Sequence, residues 1–220
     1  VVANGVALSD AVIATDAVLA DTDIPSELTV EIGGSYEDQQ DMFSDLIMLL
    51  AMIIILVYIV MASQFESFMS PFVIMFSIPF AFVGVFMGLW VTGTPLGTMG
   101  MIGILILMGI VVKNGIVLID YTILMRERGH SVAEASVIAA NSRLRPILMT
   151  TLTTVLGMIP MAIGQGEGSE MWRSLGMVVA WGLSISTLVT LVIIPTVYAS
   201  MASWQERRAA RKAAKKLAKA

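Results

Sequence analysis

The chain has 220 residues, 57% of them hydrophobic and 14% charged, with a mean hydropathy of +0.85. Soluble domains carry roughly 25% charged residues, and the apolar residues here lie in runs of about 20, long enough to cross a hydrocarbon core; a soluble globular domain is excluded. The net charge of -4 hides an acidic head and a basic tail, and the absence of cysteine excludes disulfides and thiolate metal sites.

Ten acids fall in the first 45 residues, and the first basic residue of the chain is Lys113. Ser9 and Asp10 start a helix that reaches about Ala20. Pro25 interrupts it, and Leu28-Thr29-Val30-Glu31-Ile32 alternates as a strand. Gly33-Gly34 ends that strand, and Ser35, Glu37 and Asp38 open the next helix. One helix and one strand cannot bury a core alone, so residues 1–40 read as the end of a larger soluble α+β domain. No basic n-region or cleavage site marks a signal peptide, and a chain opening on Val1 reads as a piece of a longer protein.

Five apolar spans follow in residues 41–204, at about 46–64, 71–92, 99–124, 146–163 and 174–198. Gln64 to Ser67 joins the first two. Thr92-Gly93-Thr94-Pro95 is a turn. Residues 126–145 are polar, with a short amphipathic helix expected over Val132 to Ala140, and Gly164 to Glu170 is a glycine-rich loop. Pro79 and Pro160 lie inside spans and invite kinks. The tail, 205–220, carries seven of the 13 basic residues. By the positive-inside rule it is cytoplasmic, and an odd number of spans then puts the N-terminus outside. Arg126, Arg128, Arg143 and Arg145 fall inside on the same count.

Lys113, near the middle of the third span, is the most informative residue. An ionised lysine there costs about 2.5–3.5 kcal/mol on insertion scales, so it calls for a carboxylate partner or is neutral. Asp120 shares its helix face but lies about 10.5 Å along the axis, and Glu66 sits in a turn. The partner is therefore expected on other helices; the alternative is a lysine that snorkels or pairs for structure alone. Arg143 keeps its charge at any physiological pH and so holds a field without shuttling protons. Thr150, Thr151, Thr153 and Thr154 supply hydroxyls, which also serve ordinary helix packing in membranes. Gly84 and Gly88 stand at GxxxG spacing, and Gly97, Gly100 and Gly103 lead into the third span. The 17 methionines are scattered without a paired pattern, which with one histidine, His130, argues against a metal relay. The basic tail after Trp204 reads as a topology and lipid anchor, not a nucleic-acid site.

The segment GIVVKNGIVLIDY at 109–121, followed by RLRPILMTTLTTVLGMIP at 143–160, resembles the hydrophobe/amphiphile efflux branch of the resistance-nodulation-division (RND) superfamily. YEDQQDMFSDL at 36–46 and ASQFESFMSPF at 62–72 resemble it too, and the similarity covers residues 28–200. The resemblance implies an all-α membrane protein: the last five helices of a twelve-helix transporter, behind a small α+β periplasmic remnant. It implies a trimer in the bacterial inner membrane that exchanges protons for drugs or other amphiphiles. A periplasmic adaptor and an outer-membrane channel would be its partners, with proton motive force in place of a cofactor. Lys113 is then similar to the family lysine that pairs with two aspartates on a helix absent from this chain. Asn114 follows it, Arg143 and Thr150 match the arginine and threonine of the same proton relay, and Asp120 is a further candidate. The Lys-Asn pair sets the segment apart from heavy-metal exporters of the superfamily. Other RND exporters of lipid, protein or metal, and a stand-alone module that scaffolds or regulates a pump, are the alternatives. No nucleophile–base pair or phosphate loop suggests an enzyme.

Overall fold

The computed structural model describes residues 8–20, 35–164 and 168–217, and all their regular structure is helical. The expected strand at Leu28 to Ile32 lies outside the described residues. Residues 1–51 and 52–220 form two compact units. The first holds α1 (Leu8–Ala20), where the Ser9–Asp10 start was expected, and the opening half of α2 (Ser35–Gln64).

The second unit contains the rest of α2 and five more helices: α3 (Met69–Met75), α4 (Ile78–Thr92), α5 (Thr98–Glu127), α6 (Val132–Ile163) and α7 (Ser169–Leu217). Five stretches are long and apolar enough to cross a membrane: Asp41–Gln64, Met69–Thr92, Thr98–Glu127, Val132–Ile163 and Met171–Trp204. This is an all-α membrane segment, as its hydropathy requires.

The second span breaks between α3 and α4. Pro79 has no N–H for the carbonyl four residues back, and beside the break the Ser77 hydroxyl donates to the Ile74 carbonyl at 2.7 Å. Gly93 closes α4 in the left-handed region at φ 62°, where a Cβ would be strained. Ser131 and Glu134 form a capping box at the start of α6, each accepting from the other's backbone N–H.

The sequence divides α6 at Pro146, but the helix runs unbroken from Val132 to Ile163. Residues 132–145 contain no glycine, and their alanines, leucine and arginines favour helix. Proline in a membrane helix removes one hydrogen bond without ending the helix. For the same reason α7 passes through Pro195 and continues past the expected end near Tyr198, because its alanine-, lysine- and arginine-rich tail is also a strong helix former. At its other end α7 begins at Ser169, inside the expected glycine-rich loop, of which 165–167 lie outside the described residues.

α7 is the centre of the unit and packs on α4, α5 and α6. Val178, Val179, Leu183 and Ile194 on α7 are fully buried, with Leu107, Val111, Leu118 and Ile119 of α5. Three glycine contacts set the spacing. A Cβ on Gly88 would strike the Trp181 side chain, and one on Gly84 would come within 2.8 Å of Ile185 Cβ. A Cβ on Gly176 would come within 2.7 Å of the Ala162 backbone nitrogen. The GxxxG spacing thus serves an α4–α7 contact within the chain. α5 and α7 run parallel, since Gly100 faces Ser174 and Gly115 faces Ile194. α6 runs antiparallel to both.

Candidate functional site

α5 buries Val111, Val112, Asn114, Gly115, Leu118 and Ile119. It leaves Ile106, Gly109, Lys113, Asp120 and Leu124 exposed, a single stripe at helical spacing. Consecutive residues on a helix point about 100° apart. Lys113 therefore faces out while Asn114 turns into the bundle. Among the described residues no acid lies within 4.0 Å of Lys113. Gly109 is also bare on this stripe, with nothing within 4 Å of a Cβ built there.

Arg143, on α6, is half-buried and lies against α5. Its guanidinium carbon sits 4.6 Å from the centre of the Tyr121 ring, a cation–π contact of about 0.5–2 kcal/mol depending on desolvation. Its Nε is buried and has no hydrogen-bond acceptor among the described residues. A dry donor without an acceptor costs about 1–3 kcal/mol. Tyr121 was not singled out by sequence reasoning. The signal was there: with Lys113 and Val117 it completes an i, i+4, i+8 diagonal on one helix face.

Thr150 is exposed, and its hydroxyl reaches back to the Pro146 and Ile147 carbonyls at 3.2 and 3.0 Å. The one hydroxyl hydrogen is shared between these two carbonyls, while the oxygen remains able to accept. The next residue, Thr151, points the other way. It is buried and meets Thr187 of α7, oxygen to oxygen, at 3.2 Å. One turn further along α7 the Thr190 hydroxyl is buried without a partner among the described residues. Thr151 and Thr187 join two helices, which is the packing role. Changing each to valine in a double-mutant cycle on the folded protein should give a coupling of about 0.6 kcal/mol, with about 1.7 as the upper end. Additive losses in melting temperature would mean that the hydroxyls do not bond.

At the end of the bundle near the C-terminus an open cavity of about 420 Å³ is lined by Ser67, Ser70, Arg126, Glu127 and Tyr198 among others. Arg126 Nη1 donates to the Tyr198 hydroxyl at 3.3 Å, tying α5 to α7. Arg126 and Glu127 put both charge signs in its wall. The five relay candidates lie on two helices. Lys113 and Asp120 share the open stripe, Arg143 and Thr150 belong to α6, and Asn114 is inside.

A family model described as the AcrB/AcrD/AcrF family matches residues 1–202. The cobalt-zinc-cadmium resistance protein CzcA of Cupriavidus metallidurans is 42% identical over 110 residues, which are 50% of this chain and 10% of CzcA. The multidrug resistance protein MdtC of Proteus mirabilis is 33% identical over 212 residues, 94% of this chain and 21% of MdtC. A crystal structure of a heavy metal efflux pump superposes with a TM-score of 0.78 at 32% identity, covering 91% of this chain and 20% of that one. The chain thus spans 10 to 21% of the length of these relatives. Their names include metal and multidrug resistance alike, so similarity does not follow the division that the Lys-Asn pair suggested.

Proposed function

Because the chain belongs to the AcrB/AcrD/AcrF family of RND permeases, we propose that it is the C-terminal membrane segment of a proton-driven exporter of drugs or other amphiphiles. The observation that carries this reading is the stripe on α5: Lys113 exposed, at mid-helix, with no acid within 4.0 Å among the described residues. A lysine facing lipid there would be costly. A pair of carboxylates on helices outside this chain would cover it and give it a counter-charge.

In this mechanism the carboxylates hold Lys113 while ionised and release it when protonated. The helices then shift and pass the motion to periplasmic domains. Arg143 supplies a fixed positive field, and Thr150 offers an oxygen that accepts a proton donor's hydrogen bond. Asp120, two turns from Lys113, is a second acidic station on the same stripe. Asn114 contributes from inside the bundle, by holding α5 in place. No cofactor is called for. The working assembly would be a homotrimer in a bacterial inner membrane, with its N-terminal half, a periplasmic adaptor, an outer-membrane channel and surrounding lipid as partners. The N-terminus of this chain would be periplasmic and the basic tail cytoplasmic.

Metal export is the second reading, favoured by the names of CzcA and of the heavy metal pump. One experiment separates the two. The full-length protein is reconstituted in liposomes with an imposed pH gradient and challenged with a cationic amphiphilic dye or with zinc. Proton flux that depends on the dye supports the amphiphile reading, and flux that depends on zinc moves the assignment to metal. Transport of either one without proton movement would defeat the antiport mechanism.

A further inference from the structure

We propose that Tyr121 is a positioning residue for Arg143, its ring and the burial of Nε fixing the guanidinium so that its terminal N–H groups present themselves to an acceptor from outside this chain. The inference rests on the relay reading of Arg143. The geometry behind it is local: a guanidinium 4.6 Å from the ring centre and a dry Nε with no acceptor among the described residues.

An arginine side chain has many rotamers, and fixing them is entropically costly. Stacking over a half-buried ring confines the guanidinium plane without using any of its five N–H donors. The ring thus restrains the charge and leaves the hydrogen bonds free. A carboxylate would restrain it too, but would consume the donors and neutralise the field. Backbone direction adds to the case. Tyr121 follows Asp120 and stands two turns after Lys113, so the ring links the α6 arginine to the face of α5 that carries the lysine. A movement of either helix changes where Arg143 points.

The test uses the full-length protein in liposomes, with whichever of the dye or zinc it moves. Tyr121→Leu removes the ring and should lower the maximal rate about five- to tenfold, in line with the loss of one cation–π contact. The half-saturating concentration should stay unchanged, and Tyr121→Phe should restore the rate, because the phenyl face serves as well as the phenol face. Melting temperatures of Tyr121→Leu, Arg143→Leu and the double variant report the contact itself: losses less than additive support it. Additive losses, an unchanged rate in Tyr121→Leu, or failure of Phe to restore it would each overturn the proposal. If Arg143→Leu itself transports at the normal rate, the relay reading of Arg143 fails and takes this inference with it; that outcome is recognisable because it shows in the arginine variant alone.

Discussion

Replacing Lys113 with alanine is expected to reduce transport by the full-length protein at least about a hundredfold, to background, while its amount in the membrane stays normal. Both halves follow from the side chain's place. Lys113 is exposed on α5, so its removal opens no cavity in this chain. The carboxylates left without their counter-charge can take up protons and become neutral, so the amount of folded protein should not suffer. What is lost is a charge that can be held and released, and a hundredfold change in rate corresponds to about 2.7 kcal/mol. Lys113→Arg refines the test. Arginine keeps the positive charge but presents a planar, bidentate group that does not deprotonate, so it should restore little. Measuring drug or metal resistance beside immunodetection of the protein decides the matter. An alanine variant with full resistance would remove Lys113 from the mechanism.

Gly88→Leu should have the opposite profile, with the protein itself failing. A Cβ at Gly88 already meets the Trp181 side chain, and leucine adds three further carbons at a contact between α4 and the central helix. Overpacking typically costs about 1–3 kcal/mol, and losses of about 1–2 kcal/mol change cellular abundance several-fold. Folded protein in the membrane should therefore fall several-fold, with transport per remaining molecule unchanged. Combining Gly88→Leu with Trp181→Ala makes room for the new side chain and should recover part of the loss. An unchanged amount of Gly88→Leu protein would mean that α4 and α7 are not in close contact.

The parts of the molecule legible in the sequence are those governed by transfer to hydrocarbon. Runs such as Leu46 to Ala62 have one physical solution in a membrane, and a helix is found at each of the five expected places. Helix ends were less legible, because proline signals differently in lipid: Pro79 accompanies a break, whereas Pro146, Pro160 and Pro195 lie inside continuous helices. Whether a proline ends a helix depends on neighbours that the sequence does not display. Lys113 could be picked out as costly, and Gly84 with Gly88 as a close contact, since both follow from residue chemistry. For Tyr121 the sequence showed only its place on the Lys113 face; its partner could not be read, because that is a guanidinium 22 positions away, brought there by the pairing of α5 with α6. The opposite facing of Lys113 and Asn114 was available from helical geometry, yet the resemblance grouped them by adjacency.

Consider finally the 49 residues of α7. At 1.5 Å per residue it is a rod roughly 73 Å long. Its early and middle turns are clasped by α4, α5 and α6, and past Trp204 it carries the cluster of arginines and lysines. Held as far as Ala202, it leaves a free arm of about 15 residues, roughly 22 Å, and a pivot of about 5° would sweep the tip through about 2 Å. Ångström-scale repacking at Trp181 or Thr187 would thereby become a displacement of a whole patch of positive charge, readable as a distance change by probes attached near the chain's last turn.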